Sequence, residues 1–194
     1  MRTSAPKLLP IFRSDVQGRL LALVFARPDE ARSVSELARR LGVHVSTVHR
    51  EVDRLAQAGI LHDTRAGRTR LIEAGTRPAY IQELSALALK TFGPVPVLAD
   101  LLGPIPGVHE AYVFGSWAER YEGIPGPLPE DIDVLVIGRP EREAVYEAAN
   151  RARDITGMEV DVLIRSVEAW GSQEEGLIRA IRQGHLVPLV VTDA

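Results

Sequence analysis

The 194-residue chain contains no cysteine, which excludes disulfide bonds and thiolate metal sites. Its histidines show no ligand spacing such as His-x-x-x-His, since His62, His109 and His185 stand alone in the sequence. We therefore expect no zinc site. The absence of cysteine is also compatible with the cytoplasm, where thiols are kept reduced.

Long apolar stretches are missing as well. The sequence has no run of about 18 apolar residues, so we expect no membrane span. Residues 1–15 lack the long apolar core and the small-residue cleavage site of a secretion signal. Hydrophobic residues make up 45% and charged residues 25% of the chain, which is typical of a soluble globular protein. We expect a cytoplasmic protein.

The two halves of the chain carry opposite charge. Residues 1–93 contain 15 Lys and Arg against 9 Asp and Glu, whereas residues 94–194 contain 8 against 17. The first half could therefore meet a polyanion and the second could hold cations. Because 93–107 is rich in Pro and Gly, we place a domain boundary near Pro94. The predicted domains are 1–93 and 94–194.

The first half has the pattern of a helical module that ends in a hairpin. The spacing of apolar residues predicts helices over 16–26, 33–42, 45–59 and 77–92, and two short strands within 60–74. Ser33 and Glu36 have the spacing of a capping box, and Ala66–Gly67 is the predicted turn. The fourth helix places Tyr80, Leu84, Leu87 and Ala88 on one face, which we predict to be a homodimer seam.

Two helices joined by a tight turn and followed by a basic hairpin predict a winged helix-turn-helix that binds double-stranded DNA. Residues 33–72, SVSELARRLGVHVSTVHREVDRLAQAGILHDTRAGRTRLI, resemble the DNA-binding unit of ArsR/MarR-type bacterial regulators. The alternative is a three-helix module for protein contacts, with its arginines simply solvated.

The candidate DNA-binding residues lie on the second helix of this motif and on the hairpin. The early turns of the helix can reach base edges or phosphates, and guanidinium groups pair well with phosphate. His44 stands where Ser or Thr would cap the helix, and it could contact DNA directly instead. The full set is His44, Ser46, Thr47, His49, Arg50, Arg65, Arg68 and Arg70.

The second half alternates strands and helices. The pattern predicts strands over 109–115, 131–138, 158–164 and 186–191, and helices over 116–123, 141–157 and 174–184. We therefore predict an α+β protein, in which a winged helix-turn-helix precedes an α/β domain with a small mixed sheet.

Two aspartates occupy the start of a predicted strand. Side chains alternate along a strand, so Asp131 and Asp133 share a face, about 7 Å apart. Two such carboxylates repel each other unless one is protonated or a cation lies between them, and Mg²⁺ suits such ligands. Asp161 joins them if the next strand is adjacent. Alternatively, Asp131 is a turn residue, Asp133 pairs with an arginine such as Arg151 or Arg153, and Asp161 is an acid on an edge strand.

A Gly-Ser pair precedes these acids. Gly115 ends an apolar strand at a sharp turn, and Ser116 with Glu119 has capping-box spacing at a helix start. Backbone N–H groups at such a start suit a phosphate. The order Phe114-Gly115-Ser116, Asp131-Ile132-Asp133-Val134 and Asp161 resembles minimal nucleotidyltransferases of the DNA polymerase beta superfamily.

This resemblance implies a chemistry. Asp131, Asp133 and Asp161 would be catalytic and would bind two Mg²⁺ ions, while Gly115 and Ser116 would cradle an NTP, with Arg120 as a further phosphate ligand. A nucleoside monophosphate would pass to a protein, an RNA or a small molecule. The alternatives are a non-catalytic, nucleotide-sensing transcription factor and an antitoxin-like component of a toxin–antitoxin pair.

Overall fold

The structure is a computed structural model that describes residues 11–172 and 176–191. The chain divides into two compact units. The first contains the described residues up to Gly93 together with Ile155–Gly157, and the second contains Pro94–Asp154 and the described residues from Met158 onward. Each unit is described by itself below.

The first unit combines four helices with a small antiparallel sheet. The helices are α1 (Asp15–Phe25), α2 (Val34–Leu41), α3 (Val45–Gln57) and α4 (Ile81–Phe92), and the strands are β1 (Arg32–Ser33), β2 (Leu61–Ala66) and β3 (Thr69–Ala74). The strand order is β1-β3-β2. All four predicted helices and the hairpin are present, and their order is that of a winged helix-turn-helix.

Local signals account for the bounds of α2. The Ser33 hydroxyl accepts a hydrogen bond from the Glu36 backbone N–H at 3.1 Å, which is the first of the two bonds that the capping box predicts. The Glu36 carboxylate also accepts from Arg40 Nε at 3.1 Å. Gly42 ends the helix in the left-handed region, at φ 66°.

The hairpin turn lies one residue later than predicted. Ala66 pairs with Thr69, so the two-residue loop is Gly67–Arg68 rather than Ala66–Gly67. Gly67 has φ 62°, which the tight two-residue loop requires and which glycine adopts without strain. The shift places Arg68 at the tip of the hairpin.

Helix α4 uses part of its apolar face inside the first unit. Ala88 and Phe92 are buried in the core, and the Phe92 ring packs edge-to-face on Phe12 with centroids 5.0 Å apart. Tyr80 is the N-cap, so the helix begins at Ile81 rather than at residue 77 as predicted, and Tyr80 is 54% exposed. The homodimer seam stays a prediction.

The second unit is a four-stranded mixed sheet with helices. The strands are β4 (Val108–Phe114), β5 (Asp131–Gly138), β6 (Glu159–Arg165) and β7 (Val187–Val191), and the helices are α5 (Pro94–Leu102), α6 (Gly115–Tyr121), α7 (Arg142–Thr156), α8 (Val167–Ser172) and α9 (Gly176–Gln183). The order is β6-β5-β4-β7, with β5 and β6 parallel and the other pairs antiparallel.

Two of these helices were not predicted. Helix α5 occupies the Pro/Gly-rich stretch, because proline is tolerated in a first helical turn whose N–H groups have no helical partner. Helix α8 is a single short segment after β6. Of the predicted helix 174–184, Glu174 and Glu175 lie outside the described residues.

The two faces of β5 differ. Ile132, Val134 and Val136 are fully buried on one face. On the other, Asp131 and Asp133 remain partly exposed, whereas Leu135 and Ile137 further along are buried. Ile181 joins these two in a small core, and Tyr112, Phe114, Leu163, Trp170 and Leu186 pack against it. The acidic end of this face is therefore left open.

The helical stretch Ile81–Leu102 is long and apolar enough to cross a membrane, by length and composition alone. It is not an uninterrupted apolar run, since it contains Lys90 and Asp100. In its most apolar window 44% is buried, and Ala88 and Leu98 are fully buried. Because the core helix of a soluble protein passes the same test, this stretch is weak evidence for a span.

Candidate functional site

Helix α3 presents a polar surface opposite its buried side. Val48, Val52 and Leu55 are buried and anchor the helix in the core of the first unit. Ser46, His49 and Arg50 are exposed, and Thr47 is half-buried. The predicted contact residues on this helix are therefore accessible, apart from part of Thr47.

His44 acts as the N-cap of α3. Its ring Nδ1 accepts a hydrogen bond from the Ser46 backbone N–H at 3.3 Å and lies 2.8 Å from the Ser46 hydroxyl oxygen. A backbone N–H can only donate, so Nδ1 must carry the lone pair in this arrangement. His44 therefore caps the helix with an imidazole nitrogen in place of the usual hydroxyl oxygen, and its contact with DNA stays a prediction.

The three hairpin arginines have different surroundings. Arg65 and Arg68 are exposed, and neither forms an ion pair within the described part of the chain. Arg70 is only 19% exposed. Its guanidinium donates to Asp53 on α3 through Nη1 and to Asp63 on β2 through Nη2 and through Nε, the last at 2.9 Å.

These contacts change the electrostatics of Arg70. Burial alone would lower the pKa of its guanidinium, but the hydrogen bonds and negative charges of Asp53 and Asp63 raise it overall. The charge of Arg70 is therefore compensated by two carboxylates. Arg65 and Arg68 remain as the available cations of the hairpin.

The sheet of the second unit brings the predicted acids together. Strands β5 and β6 are parallel neighbours, with Asp133 opposite Asp161 and Asp131 opposite Glu159. Register partners in a sheet share a face, so Asp131, Asp133 and Asp161 line one face, as predicted. Arg153, one of the two suggested partners of Asp133, instead places its Nη1 3.4 Å from Glu159 Oε2.

Asp133 is the acid most affected by its surroundings. Burial raises its pKa, and the negative charges of Asp131 and Asp161 raise it further. Carboxylate oxygens are the ligands that Mg²⁺ prefers, so uncompensated negative charge at this point fits a divalent cation. Among residues 11–172 and 176–191, however, no three His, Asp or Glu side chains already converge closely enough to hold a metal.

Gly115 lies directly against Asp133. A Cβ at Gly115 would stand 2.6 Å from Asp133 Oδ2, and its φ is 70°, so only glycine fits here. Helix α6 begins at Gly115 with Phe114 as N-cap and without a side-chain capping bond. Ser116 is therefore inside the first turn, and the predicted capping box with Glu119 is wrong.

Arg120 is enclosed by its own helix and the following loop. Its Nη2 donates to the Glu119 carboxylate, which explains where the Glu119 side chain goes. Its Nε and Nη1 are buried and have no hydrogen-bond partner among the described residues. A side chain at Gly126 would collide with the guanidinium, so the Pro/Gly-rich loop packs directly on Arg120.

Sequence reasoning missed Asp53, Asp63 and Gly126. Asp53 and Asp63 look like ordinary surface acids in the sequence, and the only signal for Asp63 is its place two residues from Arg65 on the same hairpin face. Gly126 has no sequence signal beyond its position in a Pro/Gly-rich loop.

The comparisons with known proteins concern mainly the first unit. A family model described as HVO_A0114 matches residues 19–74, which run from α1 to the end of β3. No curated protein matches the chain. Likenesses to solved structures are partial.

One similar structure is MepR, a transcription regulator of the Staphylococcus aureus multidrug efflux pump MepA, with 16% identity and a TM-score of 0.37. Another is a MarR-family transcriptional regulator from Rhodococcus sp. RHA1, with 23% identity and a TM-score of 0.36. Each match covers 43% of this chain, which spans 61% and 57% of the two regulators. Likenesses this partial leave the function to be inferred from the chain's own geometry.

Proposed function

We propose that the first unit binds double-stranded DNA and that the protein is a transcription regulator. The observation that carries this proposal is the exposed polar face of α3 beside a hairpin tip with two uncompensated arginines. A helix of this kind fits the major groove of B-DNA, and a flanking hairpin can reach the adjacent backbone.

Each group then has a defined task. Ser46, His49 and Arg50 face the base edges, where a guanidinium can bind guanine O6 and N7 bidentately. Arg65 and Arg68 contact phosphates and add affinity that does not depend on sequence. His44 acts through the helix it caps.

The test is selection of bound duplexes from a random-sequence pool by the full chain, followed by fluorescence anisotropy on the selected site. Arg50→Ala should weaken binding to the selected site by about 1–3 kcal/mol and relax the base preference at one position of that site. Arg142→Ala, an exposed arginine of the second unit, is the matched control. The major-groove assignment fails if no sequence is enriched, or if Arg50→Ala binds the selected site as tightly as Arg142→Ala does.

A second function is favoured by the register of Asp133 and Asp161 beside Gly115. We propose that the second unit binds an NTP at the open acidic end of its sheet and transfers a nucleoside monophosphate to an acceptor. Mg²⁺ ions held by Asp131, Asp133 and Asp161 would neutralise the triphosphate and the leaving pyrophosphate.

The chain's own residues have tasks in this reaction. Gly115 carries no side chain, as its contact with Asp133 requires, and we infer that this bare backbone lets the phosphates approach the start of α6. Ser116 lies in the same first helical turn and supplies a backbone N–H and a hydroxyl. Arg120 could donate to a phosphate through Nε and Nη1, which have no hydrogen-bond partner among the described residues, while Nη2 stays bonded to Glu119.

Labelled NTPs with Mg²⁺ test this second function. With the wild type, label on the α-phosphate should pass from the NTP to an acceptor as pyrophosphate leaves, and Asp133→Asn should abolish this transfer. If the wild type transfers nothing but NTP changes its DNA affinity, the protein is a nucleotide-sensing regulator. If NTP neither transfers nor changes DNA binding, an antitoxin-like role without nucleotide chemistry becomes the better proposal.

We further propose that the protein is a homodimer, since two-fold DNA sites are read by two-fold proteins. Helix α4 still has Leu84, Leu87 and Leu89 only partly buried in the single chain. Size-exclusion chromatography with light scattering should show twice the monomer mass of 21.2 kDa at micromolar concentration. A mass equal to that of the monomer would contradict the homodimer, while the proposed DNA binding would still have to be tested separately.

A further inference from the structure

Arg70 connects three elements of the first unit. It lies on β3 directly opposite Arg65 on β2, so the two side chains share a face of the hairpin. Asp63 is on the same face of β2, and Asp53 is on α3. Through its hydrogen bonds to both aspartates, Arg70 joins the hairpin to the helix that carries the exposed polar face.

The charge balance of this cluster argues against a phosphate contact by Arg70. One guanidinium faces two carboxylates, so the cluster carries net negative charge. All three of its nitrogens donate to these carboxylates, and the side chain is 19% exposed, whereas Asp53 is 63% exposed. An exposed aspartate on a DNA-reading helix would by itself repel phosphate.

We propose that Arg70 is a positioning residue, which holds the hairpin tip at a set distance from α3 so that both reach one DNA duplex together. The inference rests on the proposed DNA binding. It also assigns a purpose to Asp53, whose negative charge serves as the anchor on α3. A planar fork suits this task, since one guanidinium can bind two carboxylates in fixed directions.

The two possible roles of Arg70 predict opposite changes in DNA affinity for Asp53→Asn, which makes the proposal testable. If Arg70 contacts phosphate, Asp53→Asn removes a repelling charge and frees the guanidinium, so DNA binding stays equal or becomes tighter. If Arg70 is a positioning residue, the same change weakens binding although it makes the surface less negative. Arg70→Lys separates the two roles again, because lysine keeps the charge but loses the fork.

The experiment measures anisotropy with the full chain on two duplexes, the selected site and a shortened site that lacks the base pairs under the hairpin. Asp53→Asn, Arg70→Gln and Arg70→Lys should each weaken binding to the selected site, the longer of the two duplexes, about tenfold. The double variant Asp53→Asn/Arg70→Gln should be no weaker than the worse single variant. On the short duplex all variants should bind like the wild type.

Three results would overturn the proposal. These are tighter or unchanged binding by Asp53→Asn, full binding by Arg70→Lys, and equal losses on the long and short duplexes. Circular dichroism and thermal midpoints check folding, and Asp53→Asn tests the idea independently if the Arg70 variants unfold. If the wild type binds no duplex, the proposed DNA binding fails and this inference fails with it.

Discussion

The double variant Arg65→Ala/Arg68→Ala gives the most direct test of the hairpin as a DNA-backbone contact. Both arginines are exposed, and neither is held by a carboxylate within the described residues. Arg70 is compensated by Asp53 and Asp63, so it should release no counterion. The structure therefore predicts two phosphate contacts from the hairpin rather than three.

The magnitude follows from counterion release. Each lost phosphate contact lowers the slope of log K against log [salt] by about 0.9, so two contacts lower it by about 1.8. Between 50 and 200 mM salt, the affinity ratio of wild type to variant should then shrink about 12-fold. A triple variant that also lacked Arg70 would shrink it about 40-fold if Arg70 contacted phosphate too, which is distinguishable from about 12-fold.

The assay is a salt titration by fluorescence anisotropy on the selected duplex and on an unrelated duplex of equal length. Affinity should fall on both, because phosphates carry no sequence information. Arg142→Ala/Arg151→Ala is the matched control, since it removes the same charge from exposed positions of the second unit. An unchanged slope in Arg65→Ala/Arg68→Ala, or an equal change in the control, would refute the reasoning.

Three further predictions concern stability. Gly18→Ala should lower the free energy of unfolding, measured in urea, by about 1–2 kcal/mol, because a Cβ would stand 2.2 Å from the Phe92 ring. Gly171→Ala is the control: a Cβ there would have nothing within 4 Å, so the variant should be slightly more stable. Ser33→Ala should cost about 1 kcal/mol, seen by the same method, since α2 loses its cap. Asp133→Asn should raise the thermal midpoint at neutral pH. Folding raises the pKa of Asp133, so the folded wild type binds more protons than the unfolded chain between the unfolded pKa of about 4 and the raised folded pKa. Its stability falls as pH rises through that window, and the advantage of the variant disappears in acid. A variant that melts like the wild type at neutral pH would contradict the assignment.

Much of the secondary structure could be predicted because its signals are local. The Ser33 cap, the Gly42 stop and the alternation in β5 depend on residues a few positions apart, and each appears in the structure. Predictions were less accurate where a local pattern has two readings. Ser116 and Glu119 have capping-box spacing, but the helix begins one residue earlier and Glu119 binds Arg120.

The candidate sites were predictable in residue type and only partly in arrangement. The sequence indicated that Asp133 and Asp161 would meet if their strands were neighbours, and the parallel pairing of β5 with β6 brings them into register. It also placed three arginines on the hairpin. Asp53 helps to decide which of the three can bind phosphate, because it occupies Arg70. The two residues are 17 positions apart, so no local sequence pattern indicates that they meet.

The sequence alone determined most of the helices and strands, the charge of each half and the candidate residues, because propensity, periodicity and capping act over a few residues. The tertiary structure decided what those residues face. It set Gly115 against Asp133, joined Arg70 to Asp53 and Asp63, and left Arg65 and Arg68 exposed. Charge compensation and steric exclusion act through space, so they become visible only when the chain is folded.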